Sequence, residues 1–171
     1  MILVRHLPTS FNRKGLLQGK IDNSILPIFE SERKEIEKNL KFINKHFSNP
    51  IILVSKYKRT QETASVYGFE SYTIDERLNE LDFGDYEGKE KSLLISEKPD
   101  WLTNPLNLRL GEELKSFNSR IIDFLSSRNK DEEIVIFGHG AFIRAAISIT
   151  NFGSLSNMNQ IEIKNNELVV L

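Results

Sequence analysis

The chain has 171 residues, of which 39% are hydrophobic and 27% charged, with 23 Lys and Arg against 24 Asp and Glu. This fits one domain over residues 1–171 with a sizeable core, and excludes a disordered or collagen-like chain. A net charge of −1 leaves no global basic field for nucleic acid, and the lack of cysteine removes disulfides, thiolate metal sites and cysteine nucleophiles.

Met1 to Val4 is a short apolar run ending at Arg5, which predicts a buried strand and no signal-peptide core. No stretch approaches the ~20 apolar residues of a membrane span, so the expected setting is cytoplasmic, away from membranes. Residues 7–27 mix Gly, Pro, Asn, Thr and Ser and read as a long loop or broken helix, a length often tied to function. From Ile28 to Phe47 the apolar residues Phe29, Ile36, Leu40, Ile43 and Phe47 recur near the helical period, with Lys and Glu between them. Pro50 closes that helix, and Ile51 to Val54 is the next buried strand. A helix is predicted over Arg59 to Tyr67, with Ser55 as an upstream N-cap, and a short strand over Glu70 to Ile74.

Residues 76–110 look irregular, apart from a short helix around Leu93. Glu112 to Arg128 is helical, with Leu114, Phe117, Ile121, Phe124 and Leu125 on one face. Ile134 to Phe137 is a third apolar strand, followed by Gly138-His139-Gly140 and a helix through about Ile149. The tail, Ile161 to Leu171, is strand-like. Strands alternating with helices predict an α/β fold, three layers deep, with a mainly parallel central sheet flanked by helices. Ligands of such sheets bind beyond the carboxyl ends of the strands. Arg5-His6, Ser55 with its following helix, and His139 all fall at that edge.

Their residue types suit an oxyanion. The glycines beside His139 allow close approach, and the helix after it offers free N–H groups. Arg59 opens a helix, where the dipole disfavours a cation unless an anion is shared with it. Guanidinium forks match phosphate oxygens in pairs. Taken alone, His6 reads first as a hydrogen-bonded structural residue.

Four segments then resemble, in order, the signatures of the histidine phosphatase (phosphoglycerate mutase-like) superfamily. Leu3 to Gly19 carries Arg-His, Thr9 three residues on, Asn12 six on and a Gln-Gly; Ser55 to Ala64 is similar to the second arginine motif. Arg77 to Gly88 resembles the general-acid segment, and Ile136 to Ala146 the second-histidine motif. The resemblance implies His6 as nucleophile through a phosphohistidine, with Arg5, Arg59 and His139 binding the phosphoryl group. It implies Glu80 as the acid on the leaving oxygen, with Asn12 and Gly140 as further phosphate contacts. It further implies no metal or other cofactor, a small phosphorylated substrate as the partner, and a homodimer as one open arrangement.

To attack, His6 must be neutral, and to donate, Glu80 must hold a proton. Arg77 and Glu87 read as structural, His46 as a surface residue at a helix end, and Arg144 as one half of a structural pair. Leu7 stands where the family usually has Gly, which puts the local loop in question. The chain lacks the length for the inserts of the mutases, which favours a phosphatase. The expected activity is metal-independent hydrolysis of a small phosphomonoester. The alternatives are a protein phosphohistidine phosphatase, a phosphoglycerate mutase, or a non-catalytic phosphate-binding domain. A Glu80 acid favours esters, because an imidazole leaves more readily than an alkoxide. Arg109, Lys89, Phe83, Tyr86 and Trp101 are candidate specificity residues that surface exposure or packing explains better.

Overall fold

The period-two alternation of the strands sorts the core of the computed structural model, which describes residues 1–129 and 131–171. The strands are β1 (Ile2–Arg5), β2 (Ile51–Val54), β3 (Thr73–Ile74), β4 (Ile134–Gly138) and β5 (Leu168–Val170). They form one sheet in the order β3-β2-β4-β1-β5. The pairs among β3, β2, β4 and β1 are parallel, whereas β5 is antiparallel to β1. The register Leu3↔Ile136 and Ile136↔Leu53 aligns the strand ends at one edge.

Helix α1 (Ser10–Arg13) breaks the long loop after β1, and α2 (Glu30–His46) and α3 (Lys58–Val66) flank β2 in sequence. Helices α4 (Lys91–Glu97) and α5 (Asp100–Thr103) are short, while α6 (Leu114–Ser126) and α7 (Gly140–Phe152) flank β4. Ile2, Val4, Ile52, Val54, Val135 and Phe137 pack with Ile36 and Ile43 of α2 and Ala64 of α3. The intervening Leu3, Leu53, Ile134 and Ile136 point to the opposite face, onto Phe117 and Ile121 of α6 and Phe142 of α7. Alternation alone thus produces three layers, as the pattern of elements implied.

Several boundaries differ from expectation. Phe29 lies outside α2 as its N-cap and is 59% exposed, so it adds nothing to the helix's buried stripe. The region 76–110 is more ordered than its composition suggested, because Leu94 and Trp101 are buried in the same core cluster as Phe117, Ile121 and Phe142. In the tail only Leu168–Val170 pairs, since a turn at Asn166, with φ of 64°, precedes it. Among the described residues, no helix is long and apolar enough to cross a membrane.

Candidate active site

The His6 N–H donates to the Gly138 carbonyl at 2.9 Å, extending the β1–β4 ladder one residue beyond Arg5. Its imidazole is buried at the carboxyl edge, with Nδ1 2.7 Å from the Leu7 carbonyl. A carbonyl only accepts, so Nδ1 carries the proton and Nε2 keeps its lone pair. Burial, followed by Arg59 and then Arg5, holds His6 well below its usual pKa; the Leu7 carbonyl opposes them and loses. The ring is therefore neutral. Leu7 itself is fully buried among the α2 and α3 contacts, and its N–H donates to Thr63 Oγ1 at 3.0 Å. Its side chain stays out of the cleft, so it fills the core without narrowing the site.

His139 is the N-cap of α7. Its Nδ1 accepts from Arg59 Nε at 3.2 Å, and its Nε2 lies 2.7 Å from Ser55 Oγ. A guanidinium only donates, so Nε2 carries the His139 proton and Ser55 accepts it. Burial, Arg59, His6 and Arg5 all push the His139 pKa well down. The two imidazoles face each other, with ring centroids 5.4 Å apart at 63°. This corrects the reading of Ser55: α3 begins at Lys58 behind Tyr57, without a side-chain cap. The Ser55 hydroxyl instead accepts the Tyr57 N–H and meets His139, a role that its sequence neighbours could not reveal.

Arg59 is fully buried at the start of α3, with its guanidinium 4.7 Å from the Tyr57 ring. Nη1 donates to the Ile21 carbonyl and Nη2 to the Gly19 carbonyl, both at 2.8 Å. The long loop thus holds the arginine in place while two of its five N–H groups stay free. Arg5 Nη1 donates to the Ile163 carbonyl at 2.6 Å, but its buried Nε has no partner among the described residues. A Cβ on Gly140 would come within 3.3 Å of that guanidinium, which explains why glycine stands there. Thr9 caps α1, and Asn12 Oδ1 accepts from Thr9 and from Asn165 Nδ2. The Asn12 Nδ2 is left for a ligand.

Arg5, His6, Asn12, Arg59, Glu80 and Gly140 line one open cleft of about 580 Å³. The Glu80 carboxylate accepts N–H bonds from Leu81 at 3.0 Å and from Ala141 and Phe142 at 3.2 Å, at the start of α7. The structure thus brings together His6, Arg59 and His139 and sets Arg5, Asn12, Glu80 and Gly140 around them. Two helpers escaped the sequence reading. Arg120 of α6 donates to the carbonyls of Arg77, Asn79 and Glu80, and Glu112 accepts both from Arg120 and from the Asp82 N–H. Together they clamp the segment bearing Glu80.

Arg77 pairs with Asp75 and Asp123, and Glu87 accepts the Lys20 and Phe83 N–H groups, both away from the cleft as expected. Of the specificity candidates, only Phe83 lines the cleft; Trp101 is core, Tyr86 is buried and bonds Glu97, and Lys89 and Arg109 lie elsewhere. Arg144, expected in a structural pair, donates to the Gly140 carbonyl at 3.1 Å and to Asn159 Oδ1 at 3.0 Å, and it also lines the cleft. Among those residues no group of three His, Asp or Glu is placed to hold a metal ion.

A family profile described as histidine phosphatase superfamily (branch 1) matches residues 1–171. A Hydrogenobacter thermophilus protein provisionally named phosphoserine phosphatase 2 is 28% identical over 96% of this chain and 85% of its own. An acid phosphatase of Mycobacterium tuberculosis is 26% identical over 86% of this chain and 73% of its own. The solved phosphoserine phosphatase of Entamoeba histolytica superposes with a TM-score of 0.80, at 23% identity, covering 98% of this chain and 87% of that one. That last likeness establishes the shared fold.

Proposed function

The chain belongs to the histidine phosphatase superfamily, and from that premise we propose that it hydrolyses small phosphomonoesters without a metal ion, through a phosphohistidine on His6. It is a phosphatase for a small phosphorylated substrate. The observation that carries the finer reading is the buried His6, its Nδ1 on the Leu7 carbonyl and its ring facing His139, in the cleft that Arg5 and Arg59 also line.

In the first step His6 Nε2 attacks phosphorus in line, forming the N–P bond while the bond to the ester oxygen breaks. Arg59 and Arg5 offer N–H groups to the phosphoryl oxygens, where Coulombic stabilisation counts most. Their charge does the neutralising that a metal ion supplies in other phosphoryl-transfer sites. Ser55 and Arg59 fix His139 as a neutral ring, and so hold it beside the reacting group. Protonated Glu80 gives its proton to the leaving alkoxide. In the second step Glu80, now a carboxylate, takes a proton from water; that water attacks phosphorus, the N–P bond breaks, and His6 and inorganic phosphate are released.

The position of Glu80 in the cleft beside α7 supports an ester substrate over phosphohistidine, whose imidazole leaves without such help. The test is turnover of a phosphoester panel by protein stripped of metal with EDTA. Rates that are unchanged by EDTA and lost in His6→Ala are expected. A requirement for added metal, or turnover by His6→Ala at the wild-type rate, overturns the reading.

A further inference from the structure

Resting on the phosphatase reading above, we propose that Glu87 is a positioning residue for Arg59, acting through the one peptide unit that joins Gly19 to Lys20. Glu87 is half-buried and does not line the cleft. Its Oε1 accepts the Lys20 N–H at 2.8 Å and the Phe83 N–H at 3.3 Å. The other end of the Gly19–Lys20 peptide is the Gly19 carbonyl, which accepts from Arg59 Nη2 at 2.8 Å. A trans peptide is planar, with its C=O and N–H directed oppositely. Fixing the N–H on Glu87 therefore aims the carbonyl at Arg59.

That peptide has little other support. Its Lys20 N–H has no second acceptor among the described residues. Lys20 Nζ meets Asp82 at 2.6 Å, but the lysine side chain is 57% exposed, and such a pair holds a backbone weakly. Gly19 has a φ of 51°, and a Cβ there would collide with the Glu87 carboxylate. Glycine thus lets the carboxylate lie against the peptide that it orients. Carboxylate, peptide dipole and guanidinium then stand in series, each negative end on a positive one, and such chains polarise one another.

Rotation of the peptide away from Glu87 would withdraw one of the two carbonyls that hold the guanidinium and leave that of Ile21 alone. Arg59 also donates through Nε to His139 Nδ1, so a loosened fork disturbs the ring that faces His6 as well. The segment that carries Glu87 bears the acid Glu80 too. It is zipped to the loop where Gly88 N–H donates to the Leu17 carbonyl at 2.8 Å and Leu17 N–H to that of Lys89 at 2.9 Å. Acid and phosphate cradle are thereby built on one clamp. The reach of the Glu87 oxygen matters more than its charge, because donors to a phosphoryl group act through fixed geometry.

The probe is inorganic phosphate, with its Kd measured by calorimetry on the full chain. Glu87→Ala should weaken binding by ~10-fold, the scale of one charged hydrogen bond to the anion. Glu87→Gln keeps an oxygen in reach of both N–H groups and should stay within ~2-fold of the wild type, since a neutral acceptor gives up only part of the bond. Glu87→Asp keeps the charge but falls one methylene short, and should weaken binding several-fold. Asp85→Asn, at an exposed carboxylate of the same segment, should change nothing. A residue that merely stabilised the fold would lower the fraction of binding-competent molecules and leave Kd alone. In turnover, Glu87→Ala should slow alkyl and aryl esters alike, because Arg59 serves both. An unchanged Kd in Glu87→Ala, or a loss confined to alkyl esters, overturns the relay. So does the reverse order, with Glu87→Asp intact and Glu87→Gln impaired, and that pair decides alone if Glu87→Ala does not fold. The expected order of Kd in a protein that turns over no ester retains the relay and refutes catalysis. Turnover with one Kd throughout does the reverse.

Discussion

Replacing Ser55 with alanine removes one oxygen from the fully buried space between β2 and His139. In the intact protein that oxygen accepts from His139 Nε2 at 2.7 Å and from the Tyr57 N–H at 3.2 Å. Thr60 Oγ1 also lies 3.0 Å away but keeps the carbonyls of Ser55 and Tyr57 as acceptors, so it loses little. The change leaves the His139 N–H as a buried donor without a partner. Swapping the imidazole tautomer brings no relief, because Nδ1 already faces the Arg59 Nε donor. An orphaned buried donor costs ~1–3 kcal/mol, or roughly 5–150-fold in an equilibrium constant. Ser55→Ala should therefore lower the unfolding free energy by ~1–3 kcal/mol, read from a lower urea midpoint at unchanged m, and cut kcat/KM by ~10-fold, with the ¹⁵N shifts of His139 reporting a disturbed tautomer. An unchanged midpoint, rate and His139 spectrum would show that the serine does not hold the histidine.

Glu80→Gln should slow alkyl phosphates by ~10²–10⁴-fold and aryl phosphates much less, since phenoxides leave without a proton; equal losses on both would contradict the acid role. Arg120→Met should reproduce the same alkyl-over-aryl bias more weakly, by loosening the Glu80 segment, and a uniform loss would mark it as merely structural. His6 and His139 both have pKa values held well below 6.5 in the fold, so the unfolded chain binds protons that the native one refuses. Stability should be full above pH 6.5 and fall as pH drops below it, by up to ~1.4 kcal/mol per pH unit for each ring. Urea unfolding between pH 7.5 and 5.5 measures this, His6→Ala should remove part of the slope, and a flat profile would contradict neutral burial. Gly140→Ala should hold or raise stability through helix propensity while crowding Arg5, costing ~10-fold in kcat/KM; unchanged kinetics would show that the contact is tolerant.

Much of this architecture was legible because its determinants are local. Ile51–Val54 forms the strand that its apolar run announced, and the face of α6 from Leu114 to Phe124 is the buried one. The convergence of His6, Arg59 and His139 followed from strand alternation and the rule that ligands sit at the carboxyl edge. What stayed hidden depends on partners distant in sequence. Ser55 looked like a cap because its neighbours open a helix, yet its decisive contact is 84 residues away. Arg120 carries no motif; its meaning comes from carbonyls some 40 residues upstream. Arg144 is paired as expected, with Asn159 and the Gly140 carbonyl, and only the folded cleft reveals that it also lines the site. The short helix expected around Leu93 is α4, whereas α5, four residues long, carries too little periodicity to announce itself and is fixed by burial of Trp101.

The most direct measurement is transfer of labelled phosphate to the protein itself. An alkyl phosphomonoester carrying the label is mixed with enzyme in EDTA, and the reaction is stopped with alkali, in which phosphohistidine survives. Peptide mass spectrometry then locates the phosphate. The account expects it on His6, stoichiometric with the chain, longer-lived in Glu80→Gln on an aryl ester and absent in His6→Ala. Full turnover with no phosphate ever found on residue 6, or a label on another side chain, would contradict it.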